Sequence, residues 1–449
     1  MISYFIDNRD LYFKKVVSRL YVCNNSIQLI SYNLLNNTTT ILEDESATLF
    51  DLMYKNSEQE LLNFLINNQI TVSEFYEFIE ELLQAGSLND LNGNTNTIST
   101  GTNTITDDSS EIRMFHETLF DSGYLYNLHL DITKKCNLHC IHCYHPFDEY
   151  KTKAELSLSE IKHIIDDAYD LGVFVVVISG GEPTLRPDFF DILSYISDKG
   201  MCIDLYTNAV LINKNFSEKL ASFNIRKISI SLYSSYEPTH DKITQHPGSC
   251  ESTKNAIDDL ILKGFNVELK TLLMKPDFDD YQLTCAYAHS RKCSYITDIS
   301  MTPLLNSDKK TLSLSIDEKD YIQLCQDNLS PFKPVENIVK PEKAPCNAGR
   351  YSLYCDSDGS IYPCVSFRKA LGTINSGLKA AWNSNELQEW QNVKNKDFYD
   401  FGKYSFCKYC PEICAGIAQL ENNDFHICRK SDCYRAKAHE LLLRKEVKT

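Results

Sequence analysis

The sequence predicts an α/β fold: a parallel sheet made of repeated strand-helix units, with a small module before it and a cysteine-rich region after it. Three features of the chain predict it. Strand-like and helix-like segments alternate about six times between residues 126 and 304. Val173 to Ile178 is unbroken, apolar and mostly β-branched, as a strand buried on both faces of a parallel sheet must be. Eleven of the seventeen cysteines fall into two groups, one inside the first unit and one beyond the last.

Residues 1–90 read as a separate module. Its first half holds short strands, Leu20 to Cys23, Ile27 to Tyr32 and Thr38 to Leu42. Its second half holds amphipathic helices, Ser46 to Tyr54, Glu58 to Asn67 and Val72 to Ala85, the last with Phe75, Phe78, Ile79 and Leu82 on one face and Gly86 as its stop. Residues 91–115 are expected to be a flexible linker, because 91–111 are rich in Asn, Thr, Ser, Gly and Asp and offer little to bury.

The repeating units occupy 116–335. Tyr126, Leu128, Leu130 and Ile132 alternate with Asn127, His129 and Asp131, the period of a strand. Ser157, with Glu160 three residues on, predicts a capped helix carrying Ile161, Ile164, Ile165, Ala168 and Leu171 to a stop at Gly172. After the strand at Val173 to Ile178, further strands are expected at Cys202 to Tyr206, Lys227 to Leu232, Val267 to Leu273 and Ile296 to Leu304. Helices are expected near 187–199, 213–223, 251–264 and 278–292. Such alternation implies right-handed crossovers and a parallel sheet, either open or curved into a full or partial barrel. In barrels the chemistry gathers at the C-terminal ends of the strands.

Two polar motifs fall at such ends. The first is Cys136-Asn137-Leu138-His139-Cys140-Ile141-His142-Cys143, three thiolates on one short loop. Three ligands leave a cubane iron-sulfur cluster with one iron free for other chemistry. A zinc site is the alternative, with His139, His142 or His145 as fourth ligand. The second is Gly180-Gly181-Glu182-Pro183, either a strand-end turn or a place where backbone approaches a ligand, with Glu182 suited to an ammonium group.

Together these motifs resemble the signature of the radical S-adenosylmethionine (AdoMet) superfamily. The resemblance implies a partial (β/α)6 TIM-like barrel. It also implies a 4Fe-4S cluster on Cys136, Cys140 and Cys143 that chelates AdoMet, whose reductive cleavage yields a hydrogen-abstracting radical, and an external electron donor of flavodoxin or ferredoxin type. Cofactor contacts carried over by the resemblance are Gly180, Gly181, Glu182, Pro183, Asn208, Ser229 and Ser231. Many relatives that act on proteins carry an aspartate where Tyr233 stands, so a mechanism needing that acid does not transfer. No residue is assigned as catalytic base.

The second group, residues 336–449, holds Cys346, Cys355, Cys364, Cys407, Cys410, Cys414, Cys428 and Cys433. Eight thiolates match two more tetrathiolate clusters. Cys346, Gly359 with Cys364, and Cys407-x-x-Cys410 resemble the SPASM auxiliary-cluster extension of peptide-modifying radical enzymes. Three residues separate Cys410 from Cys414 where five are usual. The implied split places Cys346, Cys355, Cys364 and Cys428 in one cluster and Cys407, Cys410, Cys414 and Cys433 in the other. Disulfides and zinc ribbons are the alternatives. Met1 to Asp10 lacks the apolar core of a secretory signal, which points to a reducing cytosol, where cysteine clusters hold metals. Cys23, Cys202, Cys250, Cys285, Cys293 and Cys325 are scattered singly and read as packing residues.

Three strands followed by three helices make the first module resemble the small winged-helix domain that binds leader peptides of ribosomally made natural products, in which the leader adds a strand to a sheet edge. Its helices are acidic, with Glu58, Glu60, Glu74, Glu77, Glu80 and Glu81, which disfavours nucleic acid. The net charge of −16 argues against a polyanionic substrate, and no run approaches the roughly 18 apolar residues of a membrane span.

The resemblance therefore implies a cytoplasmic radical maturase of a precursor peptide, similar to the sactisynthases and ranthipeptide synthases that form thioethers from a cysteine sulfur to a carbon. Carbon-carbon or ether cross-linking, epimerisation, a sulfatase-type maturase and a non-catalytic zinc-bearing peptide scaffold are the alternatives.

Overall fold

The computed structural model describes residues 9–10, 12–24, 26–55, 58–89, 110–146, 154–327, 332, 340–398, 403–410 and 413–446. The first module begins with an antiparallel meander, β1 (Val16–Val22), β2 (Ile27–Asn33) and β3 (Thr38–Glu43), in that spatial order. Helices α1 (Asp44–Lys55), α2 (Glu58–Asn67) and α3 (Val72–Gln84) follow. Thr71 and Glu74 close a reciprocal capping box at the start of α3. One face of the meander, with Leu29, packs on Phe50, Leu61, Leu65, Phe75, Ile79 and Leu82 of the helices.

The other face binds the rest of the chain. Val17, Tyr21, Ile30 and Tyr32 form a second core with Ile112, Phe115 and Leu119 of α4 (Ser110–Asp121), and with Tyr126, Phe174, Val175 and Cys202 at the N-terminal ends of the parallel strands. Tyr21 donates its hydroxyl to the Gly172 carbonyl at 2.8 Å, and Arg19 donates to the carbonyls of Val173 at 3.0 Å and Tyr169 at 2.5 Å. The module is thus seated on the barrel floor. Most of the expected linker lies outside the described residues. Its last residues, 110–115, are the first turns of α4, because Ile112, Phe115 and Leu119 recur at helical spacing and have a sheet to pack against.

Six parallel strands follow, β4 (Asn127–Thr133), β5 (Val175–Gly180), β6 (Cys202–Thr207), β7 (Ile225–Ser231), β8 (Val267–Leu272) and β9 (Ser294–Asp298). They are joined by α5 (Leu158–Asp170), α6 (Phe189–Asp198), α7 (Lys214–Leu220), α8 (Glu237–Thr244), α9 (Ser249–Leu262) and α10 (Tyr281–Ser290). The Ser157–Glu160 capping box forms as expected. The last strand begins two residues before its expected range and ends at Asp298, where its partner β8 ends at Leu272. Helix α8 had no counterpart among the expected helices.

Alternation sorts the side chains. Leu128, Leu130, Ile132, Val176, Ile178, Ile203, Leu205, Ile228, Ile230 and Leu269 pack under the helices in one core. Their neighbours His129, Asp131, Asp204, Tyr206, Ser229, Ser231, Glu268 and Lys270 therefore line the concave side.

After α11 (Glu318–Gln326) the cysteine-rich region joins this same sheet. Strand β10 (Ser352–Cys355) pairs parallel with β4, and β11 (Ser360–Tyr362) and β12 (Gly372–Thr373) continue antiparallel, giving the order β12-β11-β10-β4-β5-β6-β7-β8-β9. Helices α12 (Leu378–Trp382), α13 (Asn385–Gln391), α14 (Ala415–Asn422) and α15 (Lys430–Glu446) cover it. Leu353, Cys355, Ile361, Phe367, Trp382 and Trp390 extend the barrel core. No helix among the described residues is long and apolar enough to cross a membrane.

Because docking of the first module rests on charge-assisted bonds to floor carbonyls, Arg19→Ala should cost about 2 kcal/mol. The expected readout is a lower urea midpoint with the module's helices melting first by circular dichroism. An unchanged unfolding curve would show that these bonds do not hold the module.

Candidate functional site

At the C-terminal ends of the strands lies a cleft of about 860 Å³, open to solvent, lined by Cys136, Cys140, Cys143, His142, Lys134, Tyr144, His145, Gly180, Gly181, Tyr206, Asn208, Ser231 and Tyr233 among others. The three cysteines of the first motif share this cleft with the glycine pair and with residues from β6 and β7, so sequence-distant motifs do converge.

The glycines serve the cysteine loop. A Cβ on Gly180 would stand 2.2 Å from the Thr133 carbonyl oxygen and one on Gly181 2.3 Å from that of Lys135. Gly180 also sits at φ +135°, which side chains rarely adopt. With nothing in the way, Gly181 N–H donates to the Thr133 carbonyl at 2.8 Å and Glu182 N–H to the Lys135 carbonyl at 2.7 Å. Backbone thus clasps backbone immediately before Cys136. Arg186 adds to the clasp, donating to the carbonyls of Ile132 at 2.5 Å and Leu156 at 2.7 Å. On its far side the loop is held by His139 N–H to the Thr244 carbonyl at 3.1 Å and Ile141 N–H to the Ile243 carbonyl at 3.0 Å, both at the end of α8.

Glu182 departs from its expected role. It is fully buried, and its carboxylate accepts from the Thr184 and Thr207 hydroxyls at 2.6 and 2.7 Å and from the backbone N–H of Thr184 and Asn208 at 3.2 and 2.8 Å. Burial pushes its pKa up and these four bonds oppose that shift. Its oxygens are committed within the protein, tying the end of β5 to the end of β6. Pro183 opens a buried 3-10 turn. Ser229 lies deeper, donating its hydroxyl to Glu268 at 2.7 Å. Of the seven expected cofactor contacts, Gly180, Gly181, Asn208 and Ser231 line the cleft, whereas Glu182, Pro183 and Ser229 do not.

The donor set suits a metal cluster. Burial pushes the Cys136 thiol up to about 11 and that of Cys140 to about 12, and raises Cys143 as well. Loading a metal must therefore displace protons from thiols set in a partly dry wall. Asn208 Nδ2 lies 3.9 Å from Cys136 Sγ and donates to Asn137 Oδ1 at 2.8 Å, and Leu138 N–H points at the same sulfur at 3.4 Å. Such donors favour a thiolate. His142 and His145 line the cleft, while His139 is exposed. Burial lowers His142 to about 4. Tyr233 packs between His142, edge-on at 4.4 Å, and His240, stacked at 5.6 Å. Its buried phenol is held far above its ordinary pKa, so it does not replace an acidic side chain.

Four of the eight later cysteines share one pocket. Cys407, Cys410, Cys428 and Cys433 line one small apolar pocket together with Phe406, Ile413, Asp432 and Ala436. Cys414 caps α14, and a Cβ on Gly416 would stand 2.7 Å from the Phe367 backbone nitrogen, so this helix start lies against the turn after Cys364. Phe367 N–H in turn points at Cys364 Sγ at 3.3 Å. Cys428, two residues before α15, and Cys433, in its first turn, thus line the same pocket as Cys407 and Cys410, whereas the split implied by the resemblance sets Cys428 apart from them. Cys355 is wholly buried on β10.

Comparison with known proteins agrees with this geometry. Residues 130–288 match the Radical SAM superfamily, and residues 346–411 match the SPASM iron-sulfur cluster-binding domain. The AdoMet-dependent heme synthase of Methanosarcina barkeri (strain Fusaro / DSM 804) is 32% identical over 317 residues, covering 64% of this chain and 89% of that protein. The antilisterial bacteriocin subtilosin biosynthesis protein AlbA of Bacillus subtilis (strain 168) is 26% identical over 325 residues, covering 69% of this chain and 71% of AlbA. Among solved structures, Streptococcus suis SuiB bound to precursor peptide SuiA superposes with a TM-score of 0.57 at 17% identity, over 94% of this chain and 99% of SuiB.

If the glycine clasp positions the cysteine loop, Gly181→Ala should leave the chain folded but sharply reduce iron retained by the first cysteine group. Iron and sulfide analysis of reconstituted protein lacking the later cysteines checks this, and full retention would contradict the clasp.

Proposed function

This chain belongs to the radical SAM superfamily and carries its SPASM extension, and from that premise we propose that it is a maturase that forms thioether cross-links in a ribosomally made precursor peptide. The observation that carries the reading is the union of a small sheet-and-helix module, with β3 at one edge of its sheet, with a barrel whose sheet continues into a region of eight cysteines. The full-length likeness to SuiB, solved with a precursor peptide, and the relation to AlbA, named for subtilosin biosynthesis, support a peptide substrate.

A 4Fe-4S cluster with AdoMet, when bound, supplies hydrogen-atom abstraction from an unactivated carbon. In this reading Cys136, Cys140 and Cys143 hold that cluster, and Gly180, Gly181, Asn208 and Ser231 contact AdoMet, with Glu182 and Ser229 fixing the strand ends from behind. Cys407, Cys410, Cys428 and Cys433 hold one auxiliary cluster, and Cys346, Cys355, Cys364 and Cys414 the other. The N-terminal module takes the leader as an added strand on β3. Residues 1–90, 116–335 and 336–449 act as leader-binding, radical and auxiliary-cluster regions, although the last shares the barrel's sheet. The setting is the cytoplasm, with a flavodoxin or ferredoxin as donor. The 32% identical heme synthase favours a second reading, a small-molecule substrate.

The test is anaerobic reconstitution with reductant, AdoMet and a short cysteine-containing peptide, sought among the reading frames beside the gene, followed by mass spectrometry. Expected are loss of two hydrogens per event, loss of free thiol, and no AdoMet cleavage with Cys140→Ala. Unchanged mass with 5′-deoxyadenosine released would replace thioether formation by epimerisation. Absence of peptide change and of peptide-stimulated nucleoside would favour the small-molecule reading.

The cysteine assignment has its own check. Cys428→Ser should remove the same electron paramagnetic resonance signal as Cys433→Ser, and Cys414→Ser the same signal as Cys364→Ser, each change affecting on the order of four irons. The opposite pairing would support the split implied by the resemblance.

A further inference from the structure

Below the cofactor cleft, the concave wall of the barrel carries a charged layer that the cysteine and glycine motifs do not use. Asp204 on β6 takes two bonds from Arg226, at 2.8 and 2.5 Å. Glu268 on β8 faces two ammonium groups, Lys227 Nζ at 3.3 Å and Lys270 Nζ at 3.7 Å, and also accepts the Ser229 hydroxyl. Over these five side chains, two carboxylates face three cations. Asp131, the next carboxylate along the wall, is engaged elsewhere: it accepts the Tyr354 hydroxyl at 2.6 Å and has His129 Nε2 at 3.4 Å.

The three cations differ in access. The side chains of Arg226 and Lys227 are 11% and 14% exposed, whereas that of Lys270 is 32% exposed. Lys270 lies 3.7 Å from the centroid of the Tyr206 ring, and Tyr206 lines the cleft. Tyr206 also meets His129 edge-on at 5.7 Å, and His129 meets Tyr354 at 5.3 Å. A row of Tyr354, His129, Tyr206 and Lys270 therefore crosses the wall beneath the cofactor cleft, with the ammonium at its open end. That end is reachable from the side. In the parallel register Lys270 is opposite Ile296 of β9, which is 48% exposed, and β9 is the terminal strand of the sheet.

A half-buried ammonium opposed by a shared carboxylate is poorly compensated, and burial lowers the Lys270 pKa from its ordinary value. An incoming anion would supply the missing counter-charge, and the Tyr206 face holds the side chain in place meanwhile. We propose that Lys270 is the specificity residue of the barrel: it binds a carboxylate on the substrate peptide, from an acidic side chain near the modified position or from the C-terminus, and so sets which residue lies under the cleft. This rests on the peptide reading above.

The experiment uses reconstituted enzyme and the neighbouring peptide unaltered, with each acidic residue changed in turn to its amide, with an amidated C-terminus, and with the responsive acid changed to lysine. Modification of the unaltered peptide by the native enzyme tests the peptide reading separately. For Lys270→Gln the expected result is a KM raised roughly tenfold or more, with kcat changed far less. One peptide variant should show the same rise with native enzyme and no further rise with Lys270→Gln; which one it is separates a side-chain carboxylate from the terminus. Lys270→Glu should recover on the lysine-substituted peptide, and Lys270→Arg should stay near native. Cluster content and melting temperature verify folding. A KM within twofold of native for Lys270→Gln, or a change confined to AdoMet affinity, would overturn the proposal.

Discussion

The structure depends on one contact, the backbone clasp between Gly180-Gly181-Glu182 and Thr133-Lys134-Lys135. It exists because the absence of two Cβ atoms lets the end of β5 touch the end of β4 at hydrogen-bond distance. Cys136 is the next residue, so the clasp fixes where the thiol loop leaves the sheet. Glu182 then carries the constraint sideways to Thr207 and Asn208. A carboxylate buried this deeply would cost several kcal/mol unpaired, and four donors offset that cost only while both strand ends keep their places. Three strand ends are thereby held as one rigid rim. The loop itself has little regular structure and borrows its order from that rim and from the last carbonyls of α8.

Much of this was legible. The period-two run before Cys136, the Ser157–Glu160 box and the apolar run from Val173 each express a local rule that the tertiary structure does not override. The convergence of the cysteine loop, the glycine pair and Asn208 followed from the barrel rule that strand ends meet. Roles were less legible than places. Glycine and glutamate at a strand end read equally well as ligand contacts or as packing, and only the direction of the Glu182 carboxylate decides between them. The signal for α4 was present in Ile112, Phe115 and Leu119 but lay behind a polar stretch. That Cys428 lies with Cys407, Cys410 and Cys433 in one pocket was not legible, because spacing along the chain says nothing of how the segment before α15 folds back on the earlier pair. The addition of β10 to the barrel edge was hidden for the same reason: Ser352–Cys355 is four residues long and pairs with a strand more than two hundred residues away.

The division of the sheet's two faces explains why the barrel can be both stable and reactive. Its outer face is almost wholly aliphatic and buried under helices, which supplies the hydrophobic stabilisation. Its concave face is free to carry charge because each group has a polar partner rather than an apolar layer before it: Asp131 the Tyr354 hydroxyl, Asp204 the Arg226 guanidinium, and Glu268 the ammonium groups of Lys227 and Lys270. Polar side chains at such density would destabilise a closed core. On a wall that opens sideways at β9 they remain near water until a substrate covers it, and interactions that are modest in the free protein strengthen when it does.

Placement of the first module has a consequence for any peptide that engages both regions. The module grips the floor of the barrel through Tyr21, Arg19 and Tyr32, all bonded to carbonyls at the N-terminal ends of the strands. The cysteine loop stands at the opposite ends. Strands of six or seven residues rise about 20 Å at roughly 3.3 Å per residue. A segment paired with β3 is therefore separated from the cleft by at least that height, and an extended chain needs about six residues to cover it before reaching the rim. Binding at the floor would raise the effective concentration of the distal segment at the mouth without fixing its register there. Register must then come from groups near the cleft, and the wall beneath it, with its aromatic row ending in an ammonium, has the chemistry to provide it.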